Sequence, residues 1–246
     1  MTSTPDPDTS VLAYGEGDDA FDAFVVRPAG AERHAERHPA VLVCHAWGGR
    51  DAFAEDRARK LAELGYVGAA IDLYGIGKRG TDTASCQALM GELLSDPVRL
   101  RRRIAAAYEA VRGLPFVDAT RMGAIGFCMG GMCAILSARM GLELRGVVSF
   151  HGLLKVGEPV AEKVHAKILV QHGQDDPMVP SEDVGAFAAA MRRVDAEWQL
   201  HAYPGVVHAF TNPAATSRES GMAYDAYADR QSWLEMTRFF EDLLKA

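Results

Sequence analysis

Short apolar runs recur along the chain, most of them continuous, and stretches with helical spacing separate them. Continuous apolarity over about four to eight residues predicts strands buried on both faces. A first pair of strands is expected at Val11–Tyr14 and Phe21–Arg27, joined by the turn-rich GEGDD. Further strands are expected at Ala40–Cys44 within HPAVLVCHAWGG, in YVGAAIDLYG, and at Arg121–Phe127, Leu144–Phe150, Lys167–Gln171 and Trp198–Tyr203. In DAFAEDRARKLAELGY, residues Phe53, Ala54, Ala58, Leu61 and Leu64 fall near helical spacing, and Gly65 ends the helix. SDPVRLRRRIAAAYEAVRGL has a cap at Asp96, Pro97 at the first helical position and Gly113 near its end. Met129–Met140, stopped by Gly141, and a segment near Glu182–Val194 are further predicted helices. The closing YADRQSWLEMTRFFEDLLKA is amphipathic, with Trp233, Met236, Phe239, Phe240, Leu243 and Leu244 on one face. Gly75–Ser95 is the least regular part, and GIGKRGTDTAS reads as loop. Strands alternating with helices argue for an α/β class: a mostly parallel central sheet with helices on both faces. No repeat, low-complexity segment or dividing linker appears, so residues 1–246 are expected to form one domain.

Composition narrows the partners. The 246 residues carry a net charge of −7, which favours neither nucleic acid nor an anionic membrane surface. MTSTPDPDTS has neither a basic nor an apolar signal region, and no run approaches a membrane-spanning length. Cys44, Cys86, Cys128 and Cys133 lack zinc spacing and are too few for a disulfide scaffold. A reduced cytoplasmic protein, a monomer or small homo-oligomer without a metal site, is the expectation. Arg99, Arg101, Arg102 and Arg103 resemble a phosphate patch but read better as a solvated helix face with packed stems.

The chemistry concentrates at GAIGFCMGGMCAIL. Gly126-Phe127-Cys128-Met129-Gly130 has the spacing of a nucleophile elbow with cysteine in place of serine. A strand precedes it and a helix follows, so the thiol would sit at a helix N-terminus, where the macrodipole favours thiolate. A Gly-rich packing seam would explain the glycines but not this strand–turn–helix setting. A thiol nucleophile needs a base, and the base needs an orienting group. LVQHGQDDPMVP offers Asp176, directly before Pro177, with Asp175 as competitor, and LHAYPGVVHAF offers His208 on a loop. The order nucleophile, acid, histidine is that of α/β-hydrolases, and each would fall at the carboxyl end of a parallel strand. An oxyanion hole needs two backbone amides. Met129 should supply one, and Ala46, with Trp47 the alternative, the other.

The remaining histidines divide by position. His34 and His38 lie in a polar loop and read as solvated, His201 as half-buried in a strand, and His172 as a turn residue; His165 has no motif around it. His45 and His151 each close a strand, where a structural hydrogen bond and a substrate contact are both open. Trp47 either walls the pocket or packs in the core. Cys133 is a conceivable redox partner of Cys128 or an inert buried thiol.

GFCMGG, AAIDLYG, HGQDDPMVP and YPGVVHAF together resemble the dienelactone hydrolase family, in order and over nearly the whole chain. The resemblance implies an α/β-hydrolase fold without a separate lid domain. It also implies hydrolysis of a small-molecule ester or lactone through a thioester, with no metal or organic cofactor. It maps nucleophile, acid and base onto Cys128, Asp176 and His208. Members acting on dienelactone carry glutamate at the position of His45 and arginine four residues after the catalytic histidine, where this chain has Asn212. Lys78 or Arg79, after DLYG, are the candidates to replace that anion contact. His45, Trp47, Lys78, Arg79, His151 and Asn212 are thus the expected substrate-binding residues. Two other classes remain in view: a catalytically idle hydrolase-like binding protein, and a thiol-redox protein using Cys128 and Cys133.

Overall fold

A computed structural model describes residues 8–30, 36–155 and 161–245. His34 lies outside them. The chain divides into two compact units, Met1–Gly123 and Ala124–Ala246.

The first unit holds β1 (Thr9–Glu16), β2 (Asp19–Val26), β3 (His38–Cys44), β4 (Val67–Ile71) and the start of β5 (Val117–Phe127), in the order β1-β2-β4-β3-β5. β1/β2 and β2/β4 are antiparallel, β3/β4 parallel. GEGDD is shorter as a turn than expected, because Glu16 still pairs with Asp19 and Gly17 takes φ 58°. His38 is the first residue of β3 rather than a solvated loop residue, and its amide donates to the Phe116 carbonyl (2.9 Å). Helix α1 (Ala52–Glu63) is capped by Asp51, whose carboxylate accepts the Ala54 amide at 3.0 Å. Gly65 follows at φ 89°, the left-handed stop.

The expected loop at Gly75–Ser95 is half helix: α2 spans Thr83–Leu94. Its signal is a reciprocal capping box, with Asp82 accepting the Ser85 amide (2.8 Å) and Ser85 accepting the Asp82 amide (3.1 Å). Helix α3 (Pro97–Arg112) begins and ends as its Asp96, Pro97 and Gly113 predict. Of its arginines, Arg103 is buried: it donates to the Leu73 carbonyl (2.9 Å) and Asp19 (2.6 Å) and lies over Phe21.

The second unit holds the end of β5, then β6 (Gly146–Phe150), β7 (Lys167–Gly173) and β8 (Trp198–Tyr203), in the order β5-β6-β7-β8. β6/β7 and β7/β8 are parallel. Between the strands lie α4 (Met129–Arg139) and α5 (Ser181–Arg193), and α6 (Ala226–Phe240) closes the chain with a π-helical turn at Glu241–Lys245. Met236, Phe240 and Leu244 are fully buried, each worth about 1.5–3 kcal/mol. A two-strand hairpin, β9 (Thr216–Ser217) and β10 (Met222–Ala223), is too short to show a hydrophobic period and is not expected from sequence. Register places Phe150 opposite Gln171 and Gly173 opposite Tyr203, so the carboxyl ends of β6, β7 and β8 lie side by side.

Candidate active site

β5 ends at Phe127 and α4 begins at Met129, which leaves Cys128 alone to make the turn. It does so at φ 56°, ψ −119°, a left-handed conformation costing a non-glycine residue about 1–3 kcal/mol. Two contacts hold it there: its amide donates to the Phe150 carbonyl (3.1 Å), and its carbonyl accepts the Gly131 amide (3.0 Å). The flanking glycines are a steric requirement. A Cβ on Gly126 would lie 1.9 Å from the Gly130 oxygen, and one on Gly131 would lie 2.5 Å from Ser149 Oγ. Gly126→Ala is therefore expected to cost about 1–3 kcal/mol or more in a urea melt, since backbone rather than a flexible side chain must yield.

Asp176 stands just beyond β7. Its Oδ1 accepts the Met178 amide (2.8 Å), and its Oδ2 accepts from His208 Nδ1 at 2.7 Å, with both side chains buried. Asp175 is exposed; its carboxylate accepts the Gly205 amide at 3.3 Å and lies 4.0 Å from the Arg218 guanidinium. The structure thus brings Asp176, not Asp175, to His208. His208 Nδ1 donates to the carboxylate, which directs its other nitrogen, Nε2, away as the basic site. Nε2 is buried and makes no hydrogen bond of ordinary geometry. Burial alone disfavours the imidazolium, but the Asp176 bond and then the Cys128 sulfur outweigh it and hold the imidazole up to about 10. Cys128 is therefore near enough to bias His208 without an ideal hydrogen bond.

The loop carrying His208 is held closely. A Cβ on Gly173 would meet the Val206 and Val207 carbonyls at 2.7 and 2.8 Å. The His208 amide donates to the Gly221 carbonyl (3.0 Å), and its carbonyl accepts the Ala223 amide (3.1 Å). Gly221, at φ 78°, packs so tightly on Pro177 that a Cβ would lie 2.2 Å from the ring. The β9–β10 hairpin therefore touches both the Asp176 loop and the His208 loop.

Two neighbours lie outside the expected binding set: Thr211, and His172, which the sequence reads as a turn residue but which lies within β7. His172 is buried at the end of β7, and burial lowers its pKa, with Asp176 and His208 both acting on it. Thr211 is buried three residues after His208 and bonds His151 Nε2 at 2.8 Å. The only signals for them are a strand-end position and proximity to His208 in the chain. The His151 ring meets His208 edge-on at 5.1 Å and Phe210 at 5.2 Å. Asn212 is half-buried and uses its side-chain oxygen to accept the Ala214 amide (3.0 Å). Cys133 is fully buried in α4, and all four cysteines are free thiols.

The other expected binding residues belong to the first unit. His45 is fully buried, and both ring nitrogens face backbone. Its Nε2 accepts the Leu73 amide (3.1 Å), so Nδ1 is the donor to the Ala46 carbonyl (2.7 Å). Burial lowers its pKa, consistent with a neutral ring. Neither nitrogen is left for a substrate, so the expected substrate contact gives way to the structural reading. His45→Leu would orphan the Leu73 amide and is expected to cost about 1–3 kcal/mol in a urea melt at neutral pH. Asp72, at the end of β4, is the buried anchor of this region, accepting the Tyr74 and Gly75 amides at 2.9 and 3.1 Å. The Ala46 carbonyl also accepts the Gly49 amide (3.1 Å), and the Trp47 carbonyl accepts from the Tyr74 hydroxyl at 2.9 Å. Lys78 is exposed; Arg79 is half-buried, bonded to the Lys78 carbonyl (2.8 Å) and 3.8 Å from Asp72.

Among the described residues no helix is long and apolar enough to cross a membrane, and no cluster of three or more His, Cys, Asp or Glu is placed to hold a metal ion.

Known proteins share this arrangement of the chain. The solved structure m3DLH superposes with a TM-score of 0.90 at 32% identity, covering 97% of this chain and 99% of its own. A dienelactone hydrolase-like promiscuous phosphotriesterase from metagenomic libraries gives 0.89 at 33% identity, covering 96% and 98%. The probable 2-oxo-3-(5-oxofuran-2-ylidene)propanoate lactonase of a Bradyrhizobium species is 30% identical over 200 residues, 76% of this chain and 78% of that protein. The dienelactone hydrolase family model matches residues 21–244. With its mostly parallel sheet and α/β-hydrolase fold, the chain belongs to the dienelactone hydrolase family of ester and lactone hydrolases.

Proposed function

We propose that this chain cleaves carboxylic esters or lactones through Cys128, His208 and Asp176 by way of a thioester acyl-enzyme. What carries the reading is a single buried imidazole, bonded to Asp176 on one side and acted on by Cys128 from the other. His208 Nε2 takes the Cys128 proton, and the thiolate adds to the substrate carbonyl carbon. As the carbon–oxygen bond breaks, the proton passes to the departing alkoxide. Water then gives a proton to His208 and its hydroxide oxygen to the thioester carbon. The carbon–sulfur bond breaks, and the proton returns to sulfur. The amide of Met129, first residue of α4, is the proposed oxyanion donor on the nucleophile's own helix. Ala46 is assigned the second amide by its place in the sequence.

The substrate is proposed to be uncharged near Asn212, where the family's dienelactone-cleaving members carry arginine. Asn212 provides no cation for a substrate carboxylate, and its oxygen is already engaged with Ala214. Neutral lactones and short-chain esters should therefore exceed carboxylate-bearing lactones in kcat/KM. Because one similar protein is a promiscuous phosphotriesterase, a phosphotriester makes a sensible third arm of the same panel. The test is turnover of each class, with intact-protein mass to detect an acyl adduct lost in Cys128→Ala. Undiminished turnover in Cys128→Ala would overturn the reading. No turnover and no adduct with any activated ester would instead favour an idle binding protein. A Cys128–Cys133 disulfide formed by mild peroxide would favour the redox alternative.

A further inference from the structure

The last residue of β6 and the residue after it touch both halves of the proposed proton-transfer pair. The Phe150 carbonyl accepts the Cys128 amide at 3.1 Å and so holds the strained elbow. The next residue, His151, is itself in the left-handed region at φ 40° and donates its amide to the Gln171 carbonyl (2.8 Å). That backbone setting turns its ring onto the edge of His208, with centroids 5.1 Å apart and planes at 66°. Nε2 of the same ring bonds the Thr211 hydroxyl at 2.8 Å, and Thr211 lies in the loop that carries His208. A costly backbone conformation at a fully packed position is kept where neighbouring structure over-determines it.

We infer that His151 is a positioning residue for His208: anchored on Thr211, its ring fixes the plane in which the base faces Cys128. This inference rests on the triad reading above. The Nδ1–Asp176 bond fixes one ring atom and leaves the tilt of the ring plane to the side-chain torsions. A ring packed edge-on removes that freedom, and its tether to Thr211 moves with the base's own loop. Titratable groups acting on His208 from the surrounding segments are Asp176 after β7, His172 at the end of β7 and Cys128 at the elbow. His151 joins them from β6. Its role differs from theirs in being steric and directional.

Thr211→Val is the cleanest test, because it keeps shape and removes only the hydroxyl. It is expected to lower kcat for an activated ester by about tenfold with KM little changed, as a modest misplacement of a catalytic group does. The pH profile of Cys128 alkylation by iodoacetamide should shift along with it. Thr211→Ser should restore both. His151→Phe keeps the packed ring but loses the tether, and should match Thr211→Val; combined with it, no further loss is expected. Wild-type kcat and pH profile in Thr211→Val, while Cys128→Ala is inactive, would overturn the inference and leave the triad standing. Loss in Thr211→Val without rescue by serine would reduce His151 to a structural residue. Full activity in Cys128→Ala would mark failure of the triad reading instead.

Discussion

In Cys128→Gly and Cys128→Ala, turnover is expected to fall by about 10³–10⁶-fold, and the glycine variant is expected to be the more stable of the two. On the proposed mechanism, the activity loss follows from removing the nucleophile from a set that acts as a unit. The stability order is unusual. At an ordinary position alanine is more stable than glycine by about 0.5–1 kcal/mol, because glycine loses more chain entropy on folding. At φ 56°, ψ −119° any Cβ is strained, by about 1–3 kcal/mol, and glycine alone is not. Both variants lack the thiol, so the comparison isolates the backbone. Urea melts of the pair check it: alanine at least as stable as glycine would mean the elbow stores no strain. The two readouts together separate the cost of holding the thiol in place from what the thiol does.

On the proposed mechanism, Asp176→Asn is expected to lower kcat/KM by about 10²–10⁴-fold, as removing the orienting charge of a triad does. It should also change how stability depends on pH. In the wild-type chain, burial opposes the charged imidazole, yet the Asp176 bond, followed by Cys128, holds His208 up to about 10. A histidine raised above its ordinary value near 6.5 stabilises the fold fully below that value, and the contribution is lost as pH rises toward about 10. The stability gap between wild type and Asp176→Asn should therefore be widest near pH 6 and shrink steadily between about pH 7 and 10. Denaturant melts at three pH values across that window check the sign. A gap that widens with pH would mean that the imidazole is not held charged by Asp176.

Residues near in sequence decided much of this protein. The continuous apolar runs, the Asp96–Pro97 start of α3 and the Gly126–Cys128–Gly130 spacing each express short-range sterics, and the folded chain keeps all three. Boundaries were less legible: β5 begins at Val117 rather than Arg121, and α2 replaces half of an expected loop. The TDTASCQALMGELL stretch has a mostly exposed, weakly patterned surface, so its capping box was the sole strong signal. The order of Cys128, Asp176 and His208 was readable because parallel strands deliver their carboxyl ends to one side.

Only the tertiary structure decided between candidates that the sequence left in competition. Asp175 and Asp176 are adjacent in sequence, and a 2.7 Å bond to His208 separates them. For His45 a substrate contact and a structural bond are equally open in the sequence; Leu73 and Ala46, one on each ring nitrogen, decide for the second. His151, Thr211 and His172 carry no motif, and their meaning comes from where β6, β7 and the His208 loop end relative to one another. The physical reason is range: periodicity and turn sterics act over a few residues and are written in the chain. Which ring nitrogen accepts, and which carboxylate it meets, depends on distances between segments that the chain joins only by folding.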